Sequence, residues 1–271
     1  SNHRMAERPL MAEFDVEAFD PDQGFEVASI KSTAKKEADT HIIETLGVGG
    51  TNQVHRLERV IGHTPLRQYL TDIGNGRLQA MDTSYDPHHH EWFNVYGEEG
   101  RQAGEWGHWT GRGMNWNSMC AGCHNTRLRK NYDPETDQYH TAMAEMSVGF
   151  ESCHGPLKAH VQYYKSPETY EKPPKAPLGE RDASQILDTC GSCHSRRTEL
   201  TGDFVPGESY LDHYSLVIPD ASDLYYADGQ VRDEDYVYTS FLSSKMHQSG
   251  VHCLDCHNPQ SNETILPGNA L

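Results

Sequence analysis

The chain has 271 residues, only 35% of them hydrophobic, and a formal net charge of -17. That length fits one large domain or two small ones, and the thin apolar content predicts an interior filled partly by something other than aliphatic side chains. So acidic a surface repels nucleic acid and anionic lipid and favours basic partners, and the sequence holds no run of eighteen apolar residues that would span a membrane.

The opening residues, Ser1-Asn2-His3, read as a processed or trimmed start without a visible signal peptide. From about residue 10 to 100 the pattern is strand-rich. Short alternating stretches, Glu26 to Ile30 and His41 to Leu46, are broken by Gly47, Gly49 and Gly50, and Trp92 to Tyr96 reads as another strand. Tyr85-Asp86-Pro87 marks a turn, and His88, His89 and His90 behind it read as a solvated polar loop. From Trp106 the character changes, which predicts a strand-rich section over 1–105 and a cofactor-binding section over 106–271. Helices are expected from Ala183 to Thr189 and from Glu234 to His247. A proline-rich surface loop is expected from Tyr170 to Pro177.

Six of the seven cysteines fall in three Cys-x-x-Cys-His segments: Cys120 to His124, Cys190 to His194 and Cys253 to His257. Two thiols three positions apart reach the two vinyl groups of one porphyrin, and the next residue sets an imidazole under the iron. Zinc knuckles and dithiol redox motifs also use Cys-x-x-Cys, but neither needs a histidine directly after each pair. The chain is therefore expected to carry three c-type haems through Cys120, Cys123, Cys190, Cys193, Cys253 and Cys256, with His124, His194 and His257 as iron ligands. The seventh cysteine, Cys153, also precedes a histidine, His154, but Phe150 stands where the first thiol would be. It reads as a fourth haem held by one thioether; the alternative is a decayed site whose Cys-His pair is structural. Low-spin carriers need a second axial ligand. The candidates are His160, His247, His213 and His3, each of them otherwise an ordinary surface histidine. The aromatic residues around the motifs, Trp106, Trp109 and Trp116 among them, read as packing for flat cofactors.

The residues around these motifs resemble multihaem cytochromes of the tetrahaem type, which include the electron acceptor of hydroxylamine oxidoreductase. The similarity is greatest to the cytochrome portion of larger bacterial proteins with tetratricopeptide repeats. It is carried by Asn115 to His124, by Val148 to Pro156 with His160, by Cys193 to Arg197, and by Ser243 to His247 with Cys253 to Asn258. The resemblance implies bis-histidine haems stacked in close pairs, in a body that is mainly α and irregular, with a strand-rich N-terminal section. It supports His160 and His247 as distal ligands and extends the expectation to His213 and His3. Phe150 departs from the family's usual cysteine. The family also carries further Cys-x-x-Cys-His steps upstream of Ser1 and beyond Pro267 to Leu271, so a fragment or shortened member would leave His3 without its haem.

Function follows as an expectation: electron transfer through three or four haems, in the periplasm or outside the cell, with redox proteins, basic surfaces or other cytochromes as partners. Association into a homo-oligomer or filament through exposed end haems is compatible with this. The competing reading is an oxidoreductase acting on a small nitrogen or sulfur compound at one haem with an open distal position.

Overall fold

The computed structural model describes residues 6–10, 15–27, 29–169, 181–220, 222–232, 236–261 and 263–266. His3, the proline-rich stretch Tyr170 to Pro177 and Pro267 to Leu271 lie outside them. The chain divides into two units, His3–Val148 and Gly149–Leu271, the latter taking in Ser1–Asn2.

The first unit is built on antiparallel strands: β1 (Glu7–Pro9), β2 (Gln23–Val27), β3 (Ile30–Glu37), β4 (Thr40–Leu46), β5 (Asn52–Ile61), β6 (Arg67–Asp72), β7 (Leu78–Asp86) and β8 (Glu91–Asn94). Strands β2 to β8 pair with their sequence neighbours in turn. β1 joins β5 at Arg59–Ile61, beyond the residues that pair with β4. The expected strand from Glu26 to Ile30 is instead a hairpin corner. β2 ends at Val27, Ser29 takes a left-handed φ of 69°, and β3 starts at Ile30. Gly49 and Gly50, both at positive φ, turn β4 into β5.

Side-chain alternation along these strands gives the sheet two apolar faces. Inside its curl lie Ala34, Ile43, Leu57, Val60 and Met81, with the rings of Phe19, Tyr69, Tyr85, Trp92 and Trp109. The two end strands approach through rings: Phe25 of β2 stacks on Trp92 of β8, centroids 5.0 Å apart and planes 5° off parallel. The sheet is therefore nearly a barrel, with a seam of stacked aromatics. On the other face, Ile61, Leu70, Leu78 and Ala80 pack against Met114, Trp116 and Ala121, which brings the first Cys-x-x-Cys-His segment onto the sheet.

This architecture corrects the expectation of a mainly α and irregular body. Of the described residues, 31% are in strands and 24% in helices. The low overall hydropathy misled because this core is small in residue number and filled by large aromatic rings, which bury much area each. Alternating strands also expose every second residue, so a half-polar sequence still makes a well-packed sheet.

Helices are short. In the first unit, a π turn at Trp116–Cys120 runs into α1 (Ala121–His124), and β9 (Tyr132–Asp133) pairs with β10 (Gln138–Tyr139). The second unit holds α2 (Glu151–His154), α3 (Lys158–Lys165), α4 (Ala183–His194), α5 (Tyr210–His213), α6 (Tyr238–Leu242) and α7 (Lys245–Gln248). Around α4 lies a small core of Leu187, Tyr210, Tyr214 and Tyr238. The helix expected up to His247 is broken at Ser243–Ser244, where the Ser244 hydroxyl accepts from the His247 amide at 3.2 Å and starts α7 afresh. Among the described residues, no helix is long and apolar enough to cross a membrane.

Candidate haem-attachment sites

In the first unit, Asn115 begins the motif segment, its Oδ1 accepting from the Ser118 amide at 3.1 Å and the Ser118 hydroxyl at 2.7 Å. Asn117 ties the segment to the sheet: its Oδ1 accepts from the Leu78 amide, and its Nδ2 donates to the Gly76 carbonyl and to Thr141 Oγ1. Cys120 and Cys123 are thus three apart on one helical face and half-buried, with His124 following at the end of α1. The buried carboxylate of Glu7 lies beneath: Oε2 accepts from Trp116 Nε1 at 2.7 Å and from Asn125 Nδ2 at 2.6 Å.

The second unit holds the other three Cys-His steps. α4 is the best-formed carrier. Asp182 caps it, accepting from the Gln185 amide at 2.9 Å, while the Gln185 side chain accepts from the Asp182 amide at 3.3 Å. At its other end, Arg197 donates from Nε and Nη2 to the Ser192 carbonyl, a cation at the negative end of the helix. Asp188, two residues before Cys190, accepts from the Tyr238 hydroxyl at 3.0 Å and the Tyr210 amide at 3.2 Å. Gly191 lies directly under the Tyr238 ring.

The three steps come together in this unit. The thiols of Cys190 and Cys253 are near enough to act on one another, and that interaction raises the pKa of Cys190 and lowers that of Cys253. Cys153 has its pKa raised, by burial first and then by the nearby Cys193. Arg181 donates from Nη1 to the Cys153 carbonyl at 2.6 Å and to Thr189 Oγ1 at 3.3 Å, joining α2 to α4. Cys253 begins a single helical turn, Cys253–Asp255, and Cys256 follows it. His257 starts the short strand β11 (His257–Asn258), which pairs with β12 (Glu263–Thr264). None of the seven cysteines is in a disulfide.

The histidines differ in what holds them. His247 Nδ1 donates to the Leu242 carbonyl at 3.0 Å, the arrangement that fixes a metal-binding imidazole and leaves Nε2 for the iron. His154 and His160 each bury an Nδ1 that has no partner. Burial, and then Arg181, lowers the pKa of His154 and keeps it neutral, the form that binds metal. His213 is engaged on both sides: Nδ1 meets Thr201 Oγ1 at 2.6 Å and Nε2 meets Glu208 Oε2 at 3.1 Å. His194 and His257 are exposed. His88, His89 and His90 form a turn around Asp86, which accepts from the amides of His88 and His89.

These residues fit a covalently held porphyrin. The orphaned imidazole nitrogens of His154 and His160 need a partner of some kind. α3 has eight residues and buries none of them. A helix that short depends on tertiary packing that the polypeptide alone does not give it. Phe150 is 71% exposed and Tyr164 65%, and Met119 and Met246 are exposed beside their motifs. Exposed apolar side chains next to such motifs are what flat cofactor faces would cover. Among the described residues, no three His, Cys, Asp or Glu side chains gather as ligands of a bare metal ion. A porphyrin supplies the equatorial ligands of its iron and asks the protein only for axial ones.

Glu7, Arg59, Asn125, Arg181 and Asp188 escaped sequence reading. Each is a single polar residue outside any motif, and its role is set by partners distant in sequence.

Residues 82–155, about a quarter of the chain, match the protein family described as Cytochrome c554 and c-prime. That stretch takes in the first Cys-x-x-Cys-His segment and the Cys153-His154 step. Among solved structures, the chain is similar to the outer cell wall cytochrome OcwA at 20% identity and a TM-score of 0.49, over 79% of this chain and 47% of that one. It is also similar to an undecahaem cytochrome from the S-layer of Carboxydothermus ferrireducens, at 16% identity and a TM-score of 0.37, over 79% of this chain and 33% of that one. The chain thus spans about half and a third of these two proteins. No curated protein matches it. The family match supports haem-based electron transfer with haem c as the cofactor.

Proposed function

We propose that this chain is a multihaem electron carrier with haems attached at Cys120/Cys123, Cys190/Cys193 and Cys253/Cys256, and a fourth held through Cys153 alone. His124, His154, His194 and His257 are the proximal ligands. His160 and His247 are distal ligands, with His213 and His3 completing the set. His213 takes that part only by exchanging Glu208 for iron. The haems supply reversible one-electron chemistry when bound. The polypeptide fixes their spacing, excludes water from their faces and sets the charge around each.

The observation that carries this reading is the meeting of three Cys-His steps in one unit, where Cys190 neighbours Cys253 and Cys153 neighbours Cys193. Cofactors anchored at adjacent points stand close together, and short separations favour passing electrons between haems over catalysis at an isolated one. A periplasmic or extracellular place of action belongs to the same reading, as do basic redox proteins or other cytochromes as partners, or a filament of copies joined at end haems.

The haemochrome assay with intact mass on the matured protein tests it. Four haems per chain are expected. Three would overturn the role given to Cys153, and none would overturn the whole reading. The reduced protein should be low-spin and should not bind carbon monoxide; a full equivalent bound per chain would replace the carrier by an enzyme with an open iron.

A further inference from the structure

We propose that Glu7 is a positioning residue of the first haem-attachment segment, and that its charge, balanced by Arg59, sets the reduction potential of the haem bound there. The inference rests on the haem reading of Cys120 to His124 and adds a residue from another part of the chain.

Glu7 is 1% exposed. It comes from β1, an edge strand three residues long that joins β5 at Arg59–Ile61. Its carboxylate holds the motif segment at both ends, accepting at Oε2 from Trp116 Nε1, where the π turn starts, and from Asn125 Nδ2, the residue after His124. Asn125 is itself fixed by donating to the Ala121 carbonyl and accepting from the Ser147 amide. Oε1 accepts from Arg59 Nη1 at 3.0 Å, and the Arg59 guanidinium also lies over the Trp116 ring at 5.2 Å. One buried carboxylate thus locks the entry and exit of the helix that presents both thiols and the axial imidazole.

The neutral donors do not require a charge there. An amide oxygen at the same place would accept from Trp116 and Asn125 equally well. Burying a carboxylate is costly, and pairing it with an arginine seldom returns a net gain in stability over neutral groups. What the charge does that an amide cannot is act on a neighbouring charge. An iron that gains or loses one electron is such a neighbour: a buried anion near its site favours the oxidised state and lowers the potential, and a cation near the site does the reverse.

The experiment uses the matured holoprotein and its Glu7→Gln and Arg59→Gln variants. Haem count, intact mass and spectropotentiometric titration are read for each. The haem at the first motif is assigned as the one lost in a Cys120→Ser, Cys123→Ser double variant. Expected is a full haem complement throughout, with the potential of that haem raised in Glu7→Gln, lowered in Arg59→Gln, and the others unchanged. Shifts of the same sign in both variants, or none, would show that the pair only supports the fold and would overturn the proposal. Should Glu7→Gln fail to mature, Arg59→Gln decides alone, a lowered potential for it and an unchanged one against. The haem reading fails separately, if the wild-type peptide containing Cys120 and Cys123 carries unmodified thiols.

Discussion

Gly191 is the first residue between the two cysteines of its Cys-x-x-Cys-His segment and Gly122 the second in another, and their surroundings set opposite demands. A Cβ at Gly191 would meet three ring carbons of Tyr238 at 2.7–3.0 Å, and Asp188 holds that ring in place. Gly191→Ala should therefore cost about 1–3 kcal/mol through overpacking, read as a lowered denaturation midpoint. Gly122 has nothing within 4 Å of the same position, so Gly122→Ala should gain about 0.5–1 kcal/mol from helix propensity alone. A midpoint that moves alike in both variants would contradict this contrast. At this scale the proposed anchors could be read from sequence because the Cys-x-x-Cys-His pattern is written within five consecutive positions. Glu7 was not, since its partners Trp116 and Asn125 lie 109 and 118 residues further on. No local pattern joins them; only the folded sheet does.

Each element is held by a device that a single substitution can remove. The capping box of α4 depends on Asp182, and Asp182→Ala should cost about 1 kcal/mol, with hydrogen exchange quickening in the first turn of α4 before the turn that bears Cys190. Trp92 closes the curled sheet, touching Phe19, Phe25, Tyr69 and Tyr85 with its ring and donating from Nε1 to the Ala18 carbonyl at 3.2 Å. Trp92→Ala should cost about 3–5 kcal/mol, and the β2 and β8 amides should lose protection first. The stretch from His41 to Leu46 showed itself as a strand through its alternation, and Ala183 to Thr189 showed itself as the helical run into Cys190. The β2–β3 corner did not: an alternating run looks the same whether it continues or folds back, and the left-handed Ser29 gives no glycine signal. The continuous helix expected before His247 failed for a related reason, because Ser244 offers the backbone a fresh start that competes with continuation.

For the whole molecule, the first unit makes stability depend on pH in a definite direction. Burial lowers the pKa of His41, with Asp15 opposing and Lys36 assisting, and burial lowers that of His55. Below about pH 6.5 the unfolded chain binds protons that these folded imidazoles refuse, so unfolding free energy falls as pH falls through that range. Melting at pH 7.5 and 5.5 should show the loss, and His55→Leu should narrow the gap between the two; an unchanged gap would remove His55 from the account. Electron transfer to a small basic redox protein should slow as salt rises, given the net charge of -17. The class of fold was the least legible property, because composition counts residues whereas a core is made of area, and a few large rings supply it. The helix that buries nothing, α3, carries a last consequence. If its hydrophobic support arrives with a cofactor, that part of the interior is delivered to the polypeptide after synthesis, and the order of construction runs from covalent attachment to local folding. Maturation then becomes a folding step, and a chain denied its pigment should leave the Lys158–Lys165 segment open to proteases while the aromatic barrel beside the N-terminus stands intact.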